Sequence, residues 1–153
     1  MADNRAYLKK YNDVDKSMDD LFRKAAANAG VSESAFDILY SIEVFGGDCT
    51  QKELCDHCWL GKQTINSSIK RMVEMGLIDR RPGAGRSTKI SLTEAGEDLV
   101  ARKVRPFVMA ESAAIESLGK EGREALLSAY TAYRDAFVRL ATKAFEGETG
   151  ACK

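Results

Sequence analysis

The chain has 153 residues, 44% of them hydrophobic and 30% charged, with a formal net charge of zero, which suits one globular domain, or a small domain plus helices that need a partner. Its charged opening, "MADNRAYLKKYNDVDKSMDD", does not resemble a signal peptide, and no apolar run approaches the roughly 20 residues of a membrane span, so a cytoplasmic protein without membrane association is expected. Four cysteines (Cys49, Cys55, Cys58 and Cys152) are too few and too unevenly spaced for a secreted disulfide framework, and reduced thiols are the default.

Residues 3–28 carry Tyr7, Tyr11, Val14, Met18, Leu21, Phe22 and Ala25 at intervals of three and four, a helical stripe that Gly30 stops. Ser32 or Ser34 can cap a second, mostly buried helix to about residue 44, with Phe36, Ile38, Leu39, Ile42 and Phe45 on it or at its end. "TQKE" at 50–53 reads as a capping box for a short helix to about residue 58. After a turn at 59–61, the next helix covers roughly 62–75 and ends at Gly76.

"LIDRRPGAGRSTKISLT" predicts two strands, 77–81 and 88–92, around a tip of Pro82, Gly83, Ala84 and Gly85. Thr93 caps a long helix to about residue 118, with Pro106 as the expected kink. "LGKEG" breaks the chain. A last helix over about 121–145 places Leu126, Tyr130, Tyr133, Phe137, Leu140 and Ala144 on one stripe, and a disordered tail is expected at 146–153.

Charge is balanced in total and uneven in distribution. Residues 61–89 hold seven basic side chains (Lys62, Lys70, Arg71, Arg80, Arg81, Arg86, Lys89) against Glu74 and Asp79, a net of +5 that leaves −5 for the remainder. A cationic segment in an acidic body orients a protein on a polyanion. On the 62–75 helix, Ile65, Ile69, Met72 and Val73 share one face, while Gln63, Thr64, Ser67, Lys70 and Arg71 lie opposite. A capped short helix, a tight turn and a second helix with a polar face make a helix-turn-helix, whose second helix enters the major groove. Lys62, Gln63, Thr64, Asn66, Ser67, Lys70 and Arg71 are therefore the candidate DNA-contacting residues, with Gln63 suited to adenine, the Thr64 methyl to thymine, and the cations to phosphate. The basic, glycine-tipped hairpin that follows makes a winged helix, in which Arg86 would reach the minor groove or the backbone.

The stretch "TQKELCDHCWLGKQTINSSIKRMVEMGLIDRRPGAGRSTKISLTEAG" resembles the MarR family of winged-helix transcriptional regulators. The likeness lies in "KQT" opening the recognition helix, "MGLIDR" leading into the wing and "LTEAG" after it. It implies a mainly α fold with a small antiparallel β wing. The N-terminal helix (1–30) and the long C-terminal helices (93–145) would interlock in a homodimer, and the lobes (31–92) would hang beneath on double-stranded DNA. Repression is the family's usual mode. The resemblance also implies a crevice for a small aromatic or phenolic effector, for which Tyr7, Tyr11, Phe36, Tyr40 and Trp59 are candidate lining residues. Two positions depart from the family pattern: Ala84 stands where Asp is usual before the wing arginine, and Trp59 where a glycine is expected between the helices.

The same residues admit other readings. "CDHC" could be taken for a zinc site with Cys49 as fourth ligand, but His57 falls on a different helical face and no second ligand pair is near, so no metal or cofactor is expected. Cys49, Cys55 and Cys58 are candidate redox thiols, although small apolar packing is the usual fate of cysteine. Catalysis would need a nucleophile with a base, paired carboxylates or a phosphate-cradling loop, and none is evident, so no enzyme is expected. A winged helix that binds protein instead of DNA is the alternative, and it would not need the +5 segment.

Overall fold

The computed structural model describes residues 2–58, 60–83 and 87–149; Trp59, Arg86 and the wing-tip residues Ala84 and Gly85 lie outside them. The chain divides into two compact units, Met1–Met109 and Ala110–Lys153. It is mainly helical with a small three-stranded antiparallel sheet, the architecture of a winged helix flanked by long helices.

The first unit opens with helix α1 (Ala2–Ala29) and, after the turn at Gly30, helix α2 (Glu33–Val44). Ser32 caps α2 by accepting the Ala35 amide at 3.3 Å. Strand β1 (Cys49–Thr50) leads directly into α3 (Gln51–His57), and α4 (Lys62–Glu74) follows the turn. Strands β2 (Ile78–Pro82) and β3 (Thr88–Leu92) pair antiparallel with Ile78 opposite Leu92 and Pro82 opposite Thr88. The Gly83 amide donates to the Ser87 carbonyl at 2.9 Å and closes the base of the wing tip.

Strand β1 was not legible in the sequence. Cys49 pairs with Ile90 and Thr50 with Lys89, which puts β3 in the middle of the sheet. Two residues offer no alternation to detect, and their pairing partner lies some forty positions away.

The core is built where these elements meet: Phe36, Ile38, Leu39 and Ile42 from α2, Leu54 from α3, Ile65, Ile69 and Met72 from α4, and Ile78 and Ile90 from the sheet, all essentially inaccessible. Each such side chain contributes about 1.5–3 kcal/mol by leaving water. Four aromatic rings extend the core toward α1. Phe22 stands edge-on to Phe36, Tyr40 and Phe107, with centroids 6.5, 5.4 and 5.0 Å away.

Thr93 caps the next helix as expected, accepting the Gly96 amide at 3.1 Å and donating to the Gly76 carbonyl at 2.5 Å. A Cβ at position 96 would fall on the Leu77 carbonyl oxygen, so the glycine of "LTEAG" allows α5 (Glu94–Leu99) to approach the wing backbone. The anticipated kink at Pro106 takes a different form. A π-helical turn, Val100–Val104, precedes α6 (Arg105–Ser117), and the Arg105 amide reaches the Val100 carbonyl. Pro106 has no amide proton to offer the Arg102 carbonyl, and the widened turn accommodates that loss without breaking the helix.

The second unit holds the rest of α6 and helix α7 (Gly119–Thr149). The break between them is shorter than "LGKEG" suggests: Gly119 alone, at φ 65°, turns the chain, and α7 begins there. The helix also runs past residue 145 to Thr149, four residues into the segment expected as tail, while residues 150–153 lie outside the described part. No described residue of α7 is buried. Leu126, Tyr130, Phe137 and Leu140 are all about half exposed or more, and the Tyr133 and Phe137 rings stack at 5.9 Å.

Candidate nucleic-acid interface

The capping box forms as the sequence specifies. The Glu53 amide donates to Thr50 Oγ1 at 3.1 Å, and the Thr50 amide donates to the Glu53 carboxylate at 2.6 Å. The Thr50 amide, and then its hydroxyl, hold the Glu53 carboxyl below the usual carboxylate range. With α3 started there and its single buried residue, Leu54, anchored in the core, α4 is set at the edge of the unit.

Helix α4 is divided cleanly. Ile65, Ser68, Ile69 and Met72 are buried, while Val73, expected on the same face, sits at its edge and is 38% exposed. Lys62, Gln63, Thr64, Asn66, Ser67, Lys70 and Arg71 are all exposed, so the seven residues expected to face a nucleic acid lie together on the open side. Ser68, buried among them, donates to Ser34 Oγ at 2.8 Å and pins α4 to the start of α2. Ser67 donates to the Thr64 carbonyl at 2.9 Å, which turns its hydroxyl proton back to the helix and leaves the oxygen as an acceptor.

The cations are lightly held. Lys70 lies 4.0 Å from Glu74, Arg81 3.6 Å from Asp79, and Lys89 2.7 Å from Asp48, and every one of these pairs is exposed. Exposed pairs contribute about 0–1 kcal/mol, so a phosphate can compete for these side chains. Lys62 and Arg71 have no ion pair among the described residues. Arg80, on β2, donates to Gln51 Oε1 at 3.4 Å, and Gln51 Nε2 in turn donates to Asn66 Oδ1. Sequence reasoning missed Gln51, because its role depends on α4 and β2 arriving on either side of the α3 N-terminus.

The thiols and the effector candidates are placed differently from the polar face. Cys49 is buried in β1, and desolvation, reinforced by the negative charge of Glu53, pushes its thiol up to about 12. Burial also raises Cys58, against the opposing effect of a 3.3 Å contact with Ser41 Oγ. Cys55 is half-buried on α3, one turn before Cys58 at the end of that helix. His57 is exposed and packs its ring against Phe45, with centroids 5.2 Å apart. Among the described residues no three His, Cys, Asp or Glu side chains gather closely enough to hold a metal ion, and no helix is long and apolar enough to cross a membrane.

Phe36 and Tyr40 belong to the aromatic cluster with Phe22 and Phe107. Tyr7 does not join them: it is 77% exposed and lies fifteen positions before Phe22 on α1, about 22 Å along the axis. Tyr11 is half-buried about 16 Å from Phe22 by the same measure, so the single chain does not bring the four described candidates together. Trp59, the fifth, lies outside the described residues, as does Arg86 among the DNA candidates.

A capped short helix, a turn, a second helix with an open polar face and an adjoining β hairpin define a winged helix-turn-helix protein. Residues 29–87, the winged lobe and its approach, match the family model described as MarR family. Among solved structures, the chain is similar to NMB1585, a MarR family regulator from Neisseria meningitidis, with 21% identity, a TM-score of 0.74, and 90% of this chain and 98% of that one covered. It is also similar to MepR in the S. aureus MepR–DNA complex (17%, TM-score 0.64, 86% and 97% covered). A third likeness is to the organohalide-sensing regulator RdhR-CbdbA1625 in its 2,4-dichlorophenol-bound form (18%, TM-score 0.62, 90% and 82% covered). At these identities the likeness establishes the fold. No curated protein matches the chain.

Proposed function

We propose that this protein is a sequence-specific, double-stranded-DNA-binding transcriptional regulator that acts as a homodimer on a near-palindromic operator. The observation that carries this reading is the open face of α4, where Lys62, Gln63, Thr64, Asn66, Ser67, Lys70 and Arg71 stand exposed opposite the buried Ile65, Ile69 and Met72. Gln63 and Thr64, in the first turn, supply chemistry for base edges, and Lys62, Lys70, Arg71 and the wing arginines supply phosphate contacts. Arg86 takes the minor-groove or backbone contact at the wing.

The homodimer is supported by the long apolar stripes on α1 and α7, which the described residues of a single chain leave largely uncovered. Two lobes related by a twofold axis would read half-sites about 34–36 Å apart. Repression is the mode assigned, with release by a small phenolic ligand or by oxidation of Cys49, Cys55 or Cys58. The phenol-bound form of RdhR-CbdbA1625 supports the ligand class. A ligand would act by favouring a lobe separation unsuited to successive major grooves.

The test is selection of bound duplexes from a random pool, repeated with aromatic acids and with oxidant. Enrichment of an inverted repeat, and a log affinity that falls steeply with log salt, are expected. Recovery of no common half-site, with a flat salt response, would move the chain to the class of winged helices that bind protein.

A further inference from the structure

Three side chains from three elements meet on the open side of the lobe: Asn66 on α4, Gln51 in the first turn of α3 and Arg80 on β2. The chemistry of the arginine orders the other two. A guanidinium only donates, so the Gln51 atom that faces Arg80 Nη2 at 3.4 Å must be the carbonyl oxygen Oε1. The Gln51 nitrogen Nε2 then faces Asn66, and the Asn66 atom that meets a donor must be Oδ1. Two amides whose oxygen and nitrogen are ordinarily interchangeable in shape are given one orientation each by a donor at the end of the chain.

This orientation changes what Asn66 can read. A free asparagine clasps adenine by accepting from N6 and donating to N7 at once. Here Gln51 engages one lone pair of Oδ1 and holds that oxygen toward α3, while Nδ2 donates to nothing among the described residues. We infer that Gln51 is a positioning residue for base reading, and that under its control Asn66 acts as a pure donor toward major-groove acceptors, guanine N7 and O6 or thymine O4. The inference rests on α4 being the recognition helix. It also gives Arg80 a second duty, since the same contact ties the first wing strand to the start of the reading helix.

The experiment uses the full chain and compares wild type with Asn66→Ala, Gln51→Ala and Gln51→Glu. Duplexes are first selected from a random pool. Affinity is then measured for the four base pairs at the position whose preference Asn66→Ala removes. Gln51→Ala should flatten preference at that same base pair by roughly fivefold, with the salt slope and the affinity for random duplex unchanged. Gln51→Glu keeps the length of the side chain but cannot donate to Oδ1, so the Asn66 amide turns over to donate to it. The preferred base pair should then shift to one offering a donor, adenine N6 or cytosine N4, a change that mere loosening of the helix would not produce. Thermal melts of both Gln51 variants show that the lobe is intact. A wild-type chain that enriches no half-site removes the recognition-helix reading and this inference with it. A wild-type chain that enriches one, while Gln51→Ala keeps the same base ratios or Asn66→Ala weakens all duplexes equally, removes this inference alone.

Discussion

Helices α4 and α7 are written in the same periodic code and meet opposite fates. In α4 the apolar residues at spacings of three and four, Ile65, Ile69 and Met72, are completely buried, and the polar face is what remains. In α7 the equivalent stripe of Leu126, Tyr130, Tyr133, Phe137 and Leu140 stays between 41% and 61% exposed. Periodicity therefore announces that a face will be buried without saying by what. For α4 the cover is α2 and the sheet of its own unit; for α7 the cover proposed is a second copy of the chain.

That contrast can be broken by substitution. The largest effect should come from Phe36→Ala, which opens a cavity where α1, α2 and α6 meet and should cost about 3–5 kcal/mol in denaturant unfolding. Phe137→Asp combined with Leu140→Asp should leave the unfolding of the lobe nearly unchanged, yet weaken self-association at least tenfold by analytical ultracentrifugation. If the double variant sediments as wild type, α7 is not the joining surface. Within the lobe, Thr93→Ala removes both the cap of α5 and the bond to the Gly76 carbonyl, and should lower stability by about 1 kcal/mol.

Smaller effects concern single titrations. The Glu53 carboxyl is depressed in the folded state, so its contribution to stability is present above the ordinary carboxylate range and is lost as pH falls through that range to the folded value. Thr50→Ala should move the Glu53 carboxyl signal back toward the ordinary range in an NMR titration, though not the whole way, because the position 50 amide remains. Cys49, with its thiol near 12, should resist alkylation at pH 8 in the native protein and react promptly once unfolded. Rapid native labelling at Cys49 would keep it beside Cys55 and Cys58 as a sensor thiol, and slow labelling would leave that role to the other two.

The helices and both wing strands were legible because they depend on local signals: apolar spacing, the Thr50 and Thr93 caps, and glycines at the turns. The open face of α4 was legible for the same reason, since burial of one side of a helix fixes the other. Strand β1, the Gln51 bridge and the separation of Tyr7 from Phe36 were not legible. Each depends on a meeting between distant parts of the chain, or on the length of a helix carrying a residue away from its supposed partners. Asn66 shows the limit most clearly. Its exposure could be read from the wheel, but the side on which its oxygen is engaged depends on residues fifteen and fourteen positions away.

The five-residue turn at Val100–Val104 acts as a phase adjuster for Phe107, which follows it within the first unit. One residue of an α-helix corresponds to about 100° of rotation. Wound as ordinary α-helix, the same five residues would swing Phe107 about a quarter-turn away from Phe22 and Phe36. A substitution that tightened the turn while keeping its length, harmless to helix content, would uncouple three rings that now lock together.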